Sequence, residues 1–152
     1  RVLVVQSVEQ VAAVQADQGV AVQQQDIRFE IGQQGRYGLA VGRGDDIAVA
    51  GTNQENASYP VGTCAERVLL GTLATLHPKV PIVSMAISYN SKEVKSDHPI
   101  SPCGMCRQAL LEYEGRVQKP IRLILGGMEG EIFLIQSASL LLPLAFSSSE
   151  LK

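Results

Sequence analysis

Basic charge is scarce in this sequence. Only 18% of its 152 residues are charged, the formal net charge is −2 and the pI is about 5.7. A sequence-independent grip on nucleic-acid phosphates needs a basic surface, and this composition does not provide one. Long apolar runs are absent as well, because the apolar stretches are short and interrupted by polar residues. No segment therefore qualifies as a transmembrane helix. The first residues lack the basic segment, apolar run and small-residue cleavage site of a secretory signal. Cysteine is sparse and odd in number, with three in all. That count argues against a disulfide framework and for a cytoplasmic protein whose thiols bind metal or catalyse.

The length suits one domain with its own core, spanning residues 1–152, without repeat or linker. Residues 1–35 stand apart in composition, with nine glutamines, and no lysine occurs before Lys79. Within this region "VEQVAAVQ" (8–15) has helical spacing. Tyr37–Val41 and Ile47–Ala50 read as the arms of a hairpin turning over Gly42–Asp46. Further on, "CAERVLLGTLATLH" has apolar residues at helical spacing and stops before Pro78, and "PIVSMAIS" (81–88) is a buried strand. The stretch "EVKSDHPISP" is a loop. "PCGMCRQALLEYEG" predicts a helix that opens with proline and ends before Gly115. "IRLILGG" and "EIFLIQ" are two more strands, and "SASLLLP" a short capped helix. A mixed sheet with helices on its faces packs such an order of elements, so the fold class is α/β.

All three cysteines fall in two short stretches, "TCAERVLL" (63–70) and "SPCGMCRQAL" (101–110). Cys103 and Cys106 are three apart at a helix start and so share a face. Cys64 opens another predicted helix. If the two helix N-termini meet, the three sulfurs converge on a point that suits tetrahedral zinc. Helix N-termini lower thiol pKa, which predicts three thiolates. Three protein ligands leave a fourth position for water, as in catalytic rather than structural zinc sites. Such water needs a base within hydrogen-bond reach, and Glu66 is the candidate. A structural site closed by His98 as a fourth ligand is the alternative, but it leaves Glu66 without a role. His77 reads as a solvated histidine at a helix C-terminus.

Read in order, N-x-E-N-A-S-Y (53–59), C-A-E-R (64–67), P-C-G-x-C-R-Q (102–108) and L-L-P-x-x-F (141–146) resemble the small zinc cytidine deaminases of the three-cysteine type. The likeness runs from about Gly51 to Phe146. It implies a three-layer α/β/α sandwich around a central mixed five-stranded sheet. It implies one Zn2+ per subunit on Cys64, Cys103 and Cys106, with Glu66 moving protons between water and the cytosine N3 and amino group. The implied reaction is hydrolytic deamination of cytidine and deoxycytidine in pyrimidine salvage, by a homotetramer with sites near subunit interfaces. The resemblance assigns Asn53 and Glu55 to the ribose hydroxyls and the Ala65 N–H to the pyrimidine O2. It sets Tyr59 beside the ribose and Phe146 on a neighbouring subunit's base. Arg67 would draw charge from the thiolates, since zinc with three of them carries net −1. Arg107 and Gln108 follow the CxxC, one as a second such cation or a surface arginine, the other as a loop-ordering group.

The first fifty residues depart from this pattern. The family's P-Y-S-x-F-x-V-G-A-A has no full counterpart. Ungapped counting puts Gly35 where phenylalanine belongs, and six inserted residues bring Phe29 there instead. Two other functions compete with the resemblance: deamination of another aminopyrimidine nucleoside of the blasticidin S type, and a non-catalytic structural zinc module. A polynucleotide deaminase fits neither the acidic composition nor the three-cysteine pattern.

Overall fold

The structure is a computed structural model that describes residues 35–42, 48–78, 80–91 and 93–151, with Gly35–Gly42 and Ala48 as backbone alone. The expected helix over 8–15, Phe29 and the hairpin turn at 43–47 lie outside the described residues. Strands β1 (Gly35–Gly42) and β2 (Ala48–Thr52) form the expected antiparallel hairpin arms, with Leu39 opposite Ala50. Helix α1 (Ala65–Leu76), strand β3 (Ile82–Asn90), helix α2 (Gly104–Val117), and strands β4 (Arg122–Leu125) and β5 (Phe133–Ile135) follow. The strands lie in one mixed sheet in the order β2-β1-β3-β4-β5. Only β3 and β4 pair in parallel, and α2 makes the crossover between them, as a parallel pair requires.

Strand alternation decides which side chains meet the helices. Met85 and Ile87 of β3 and Leu123 and Leu125 of β4 join Leu69 and Leu73 of α1 and Leu110 and Tyr113 of α2 in one buried cluster. Ala86 and Ile124, one residue out of phase, face the other way and pack with Ile132 and Leu134. Every residue of β4 is buried, the pattern of a strand covered on both faces. Both described helices thus share a face, and their N-termini point to the same edge of the molecule.

Helix α2 differs from its expected limits at both ends. Pro102 precedes the cap, which is Cys103, and the helix continues through Gly115 to Val117. A glycine inside a helix costs about 1 kcal/mol relative to alanine. The buried Leu110, Tyr113 and Glu114 on the other side of that turn hold the helix together across it. Gln118 then ends it in the left-handed conformation, at φ 52°. The segment "SASLLLP" forms a 3-10 turn at Ala138–Leu141, but Ser137 does not cap it. Glu114 does so instead. Its carboxylate accepts the N–H groups of Ile121 (2.5 Å), Ala138 (2.8 Å) and Ser139 (3.0 Å), and the Ser137 hydroxyl donates to it. One buried carboxylate therefore ties α2 to both following segments.

Gly51 sets how closely β2 approaches α1. A Cβ there would lie 2.7 Å from the Ala65 carbonyl oxygen and 3.0 Å from the Leu69 nitrogen, both backbone atoms that cannot swing away. Gly51→Ala is expected to destabilise the fold by about 1–3 kcal/mol, as overpacking does, measured by urea denaturation.

Candidate active site

Cys64 is the N-cap of α1 in extended conformation and Cys103 the N-cap of α2. Cys106 lies one turn into α2, fully buried. The three sulfurs converge. Cys64 Sγ is 3.8 Å from Cys103 Sγ, Cys103 Sγ is 3.5 Å from Cys106 Sγ, and all three lie within 4.8 Å of one another. Tetrahedral zinc with ligands at ~2.3 Å sets its sulfurs about 3.8 Å apart, so this donor set fits that metal in type and spacing. Among the described residues these thiols are the only group of three or more candidate ligands. His98 is not with them. Its ring faces the Tyr89 hydroxyl and the Asp97 carboxylate, so it does not complete a four-ligand structural site.

The thiols do not all behave as helix N-termini alone would have them. Burial pushes Cys64 up, helped by the Cys103 thiol and the charge of Glu66. Burial also raises Cys106, far beyond the ordinary thiol range, with the Glu66 carboxylate adding to it. For Cys103 burial acts upward too, but the N–H groups of Cys106 and Met105 and the adjacent thiols outweigh it and leave it low. The expectation of three lowered thiols thus holds for Cys103 only, because desolvation exceeds the dipole at the other two. A metal must displace protons from these raised thiols, so its affinity falls as pH falls. Zinc loss to a competing chelator is expected to rise by roughly tenfold per pH unit for each proton displaced, measured between about pH 8 and pH 6.

Glu66, in the first turn of α1, is 2% exposed. Its Oε2 is shut off from solvent and has no hydrogen-bond partner among the described residues. An unsatisfied buried carboxylate oxygen costs more than folding alone accounts for, and here it stands beside the thiol cluster. Sequence spacing suggested that Cys64 and Glu66 project forward together from the helix end, and the field of Glu66 on both Cys64 and Cys106 agrees with that.

The approach to this centre comes from the segment after β2. An isolated bridge between Gln54 and Thr63 holds it extended. Asn53 Nδ2 donates to Glu55 Oε1 at 3.0 Å, so the two side chains share a side. Asn53 Oδ1 accepts the Ala65 N–H at 3.0 Å. The N–H that the resemblance assigns to the pyrimidine therefore has a protein acceptor, which spacing did not foreshadow. Arg67 lays its guanidinium on the Met105 sulfur, 3.5 Å away, between the two cysteines of the CxxC. Arg107 donates to the carbonyls of Pro102 (2.9 Å) and Leu141 (3.2 Å), and Gln108 to that of Phe146 (2.8 Å). These two side chains fasten the C-terminal segment to the CxxC turn, a role beyond loop ordering. Tyr59 is 90% exposed and Phe146 59% exposed, so neither ring is buried.

An α/β scaffold presenting three converging thiols beside a buried carboxylate defines a cysteine-type zinc centre. Residues 10–119 match the family described as the cytidine and deoxycytidylate deaminase zinc-binding region. A cytidine deaminase of Halalkalibacterium halodurans is 32% identical over 91% of this chain and 92% of its own length. One from Mycoplasma genitalium is 44% identical over 45% of this chain and 49% of its own. The crystal structure of cytidine deaminase from Burkholderia pseudomallei superposes with a TM-score of 0.62 at 29% identity, covering 77% of this chain and 85% of that one. The chain belongs to the cytidine and deoxycytidylate deaminase zinc-binding family and has its α/β fold.

Proposed function

We propose that this protein is a zinc-dependent hydrolase that converts cytidine and deoxycytidine to uridine and deoxyuridine with release of ammonia. The observation that carries the reading is the buried oxygen of Glu66, without a partner among the described residues, beside three converging thiols. Cys64, Cys103 and Cys106 hold the zinc, which when bound supplies a Lewis acid able to make water nucleophilic at neutral pH. Glu66 takes the proton of the attacking water and delivers it to the ring N3; it then takes the proton of the new C4 hydroxyl and gives it to the amino group, so that ammonia leaves as the C4 carbonyl forms. Its burial excludes bulk water from that path and keeps the proton between carboxylate and substrate. Glu55, aligned by Asn53, accepts from the ribose hydroxyls, and Ala65 leaves space for the ring next to the metal. Arg67 offsets the charge of the thiolates from its seat on Met105. Arg67→Ala is expected to lower turnover several-fold with zinc retained, checked by kinetics and metal analysis.

The whole chain, in this reading, is one domain with a three-layer sandwich around its mixed five-stranded sheet. The apolar cluster of Ile124, Ile132 and Leu134 supports a layer on that face. Exposed Tyr59, Leu140, Leu144 and Phe146 favour a homotetramer in which Tyr59 and Phe146 line sites near subunit interfaces. Phe29 is the aromatic proposed to cover the base. No helix among the described residues is long and apolar enough to cross a membrane, and three free thiols suit a reducing cytoplasm. A role in pyrimidine salvage follows from the substrate. Ultraviolet monitoring of cytidine, deoxycytidine and blasticidin S with zinc-loaded protein tests the assignment. Turnover of blasticidin S alone would move it to another nucleoside, and turnover of none to a non-catalytic zinc module.

A further inference from the structure

We infer that Asn53 is a positioning residue for the metal centre: its Oδ1, by accepting the Ala65 N–H, caps α1 from outside the helix and fixes Cys64 and Glu66. The inference rests on the proposed deaminase reading for its catalytic meaning, though its geometry stands without it. A helix leaves its first N–H groups unpaired, and the N-cap side chain ordinarily satisfies one of them. Cys64 occupies that position and makes no capping hydrogen bond. Its sulfur faces Cys103 instead. A side chain given to the metal cluster is not available as a cap, so the acceptor has to come from elsewhere in the fold. Asn53 supplies it at 3.0 Å, from a residue twelve positions earlier.

Two further features hold Asn53 in place for this. Gly51 lets the end of β2 touch the backbone of the first turn of α1. The bridge from Gln54 to Thr63, by 2.8 Å and 3.0 Å hydrogen bonds, ties the residue after Asn53 to the residue before Cys64. Both bring the backbone of Asn53 close to the start of α1. Asn53 Nδ2 meanwhile donates to Glu55. One amide thus connects the group proposed to hold the ribose with the helix end that carries a thiol and the proton carrier.

The test compares Asn53→Ala, Asn53→Asp and Glu55→Gln in the zinc-loaded protein, reading zinc release to a colorimetric chelator and, in parallel, kcat and KM for cytidine. Asn53→Ala removes the acceptor and is expected to release zinc about 10-fold faster or more, the scale of losing an outer-shell partner. Asn53→Asp keeps an acceptor, and an acid is favoured at a helix N-terminus. It is expected to restore slow release while raising KM, because two carboxylates then face each other. Glu55→Gln is expected to raise KM and leave zinc release unaltered. Equal release rates from Asn53→Ala and Asn53→Asp, fast or slow, overturn the inference. Should Asn53→Ala fail to fold, the unmodified protein decides: a through-hydrogen-bond NMR coupling between the Ala65 amide nitrogen and the Asn53 side-chain carbonyl carbon supports the cap, and its absence contradicts it. A protein that loads zinc but deaminates nothing removes the proposed function, and the release rates still judge Asn53.

Discussion

Glu66→Gln is expected to lower kcat/KM for cytidine by roughly 10²–10⁴-fold, the range for losing a general acid–base group, with zinc content unchanged. Glutamine matches glutamate in shape, so it fills the same pocket, where the residue is 2% exposed. It cannot accept and return a proton, which is the function assigned to the carboxylate. Stability should not fall. The native carboxylate has one buried oxygen without a partner among the described residues and raises the neighbouring thiols Cys64 and Cys106. Replacing it by a neutral amide relieves that burden, so the variant is expected to melt at or above the temperature of the unmodified protein. Loss of activity with gain of stability separates a catalytic carboxylate from a packing one. Metal analysis, kinetics and thermal denaturation of one preparation check all three expectations.

Cys103→Ala is expected to abolish zinc retention and activity together. The remaining Cys64 and Cys106 thiols are both raised by burial, so two protons must be displaced with only two sulfurs to compensate. Metal content should drop to trace after dialysis. Activity should fall at least about 10³-fold, since the metal contributes several kcal/mol to the transition state. Cys103 is half-buried at a helix cap, outside the cluster of Leu69, Leu73, Met85 and Leu123. The fold is expected to persist, and an unchanged far-ultraviolet circular dichroism spectrum alongside lost zinc would confirm that.

The cysteine cluster was legible because two helix starts announce themselves and a spacing of three puts Cys103 and Cys106 on one face. What spacing cannot show is the balance between dipole and burial at each sulfur. Burial pushes all three up, and only Cys103 is held low, because the N–H groups of Cys106 and Met105 and the adjacent thiols outweigh burial there. Helix α2 runs past Gly115 for a related cause. Local propensity argued for a stop, whereas Tyr113 and Glu114, buried by the rest of the fold, carry the helix past it. The role of Glu114 as cap to Ala138 and Ser139 depends on segments far apart in sequence, so no local pattern in "LEYEG" announces it. The resemblance assigns Asn53 to the ribose hydroxyls. Its bond to Ala65 comes from the bridge at Gln54 and Thr63 and the close approach at Gly51, neither visible before folding.

The most direct test of the central claim is to incubate the zinc-loaded protein with cytidine in water enriched in heavy oxygen and weigh the product. Hydrolytic deamination predicts uridine carrying the heavy oxygen at ring position C4, ammonia in equal amount, and neither product from Glu66→Gln on the same timescale. Absence of uridine, or uridine without the heavy oxygen, would contradict the account.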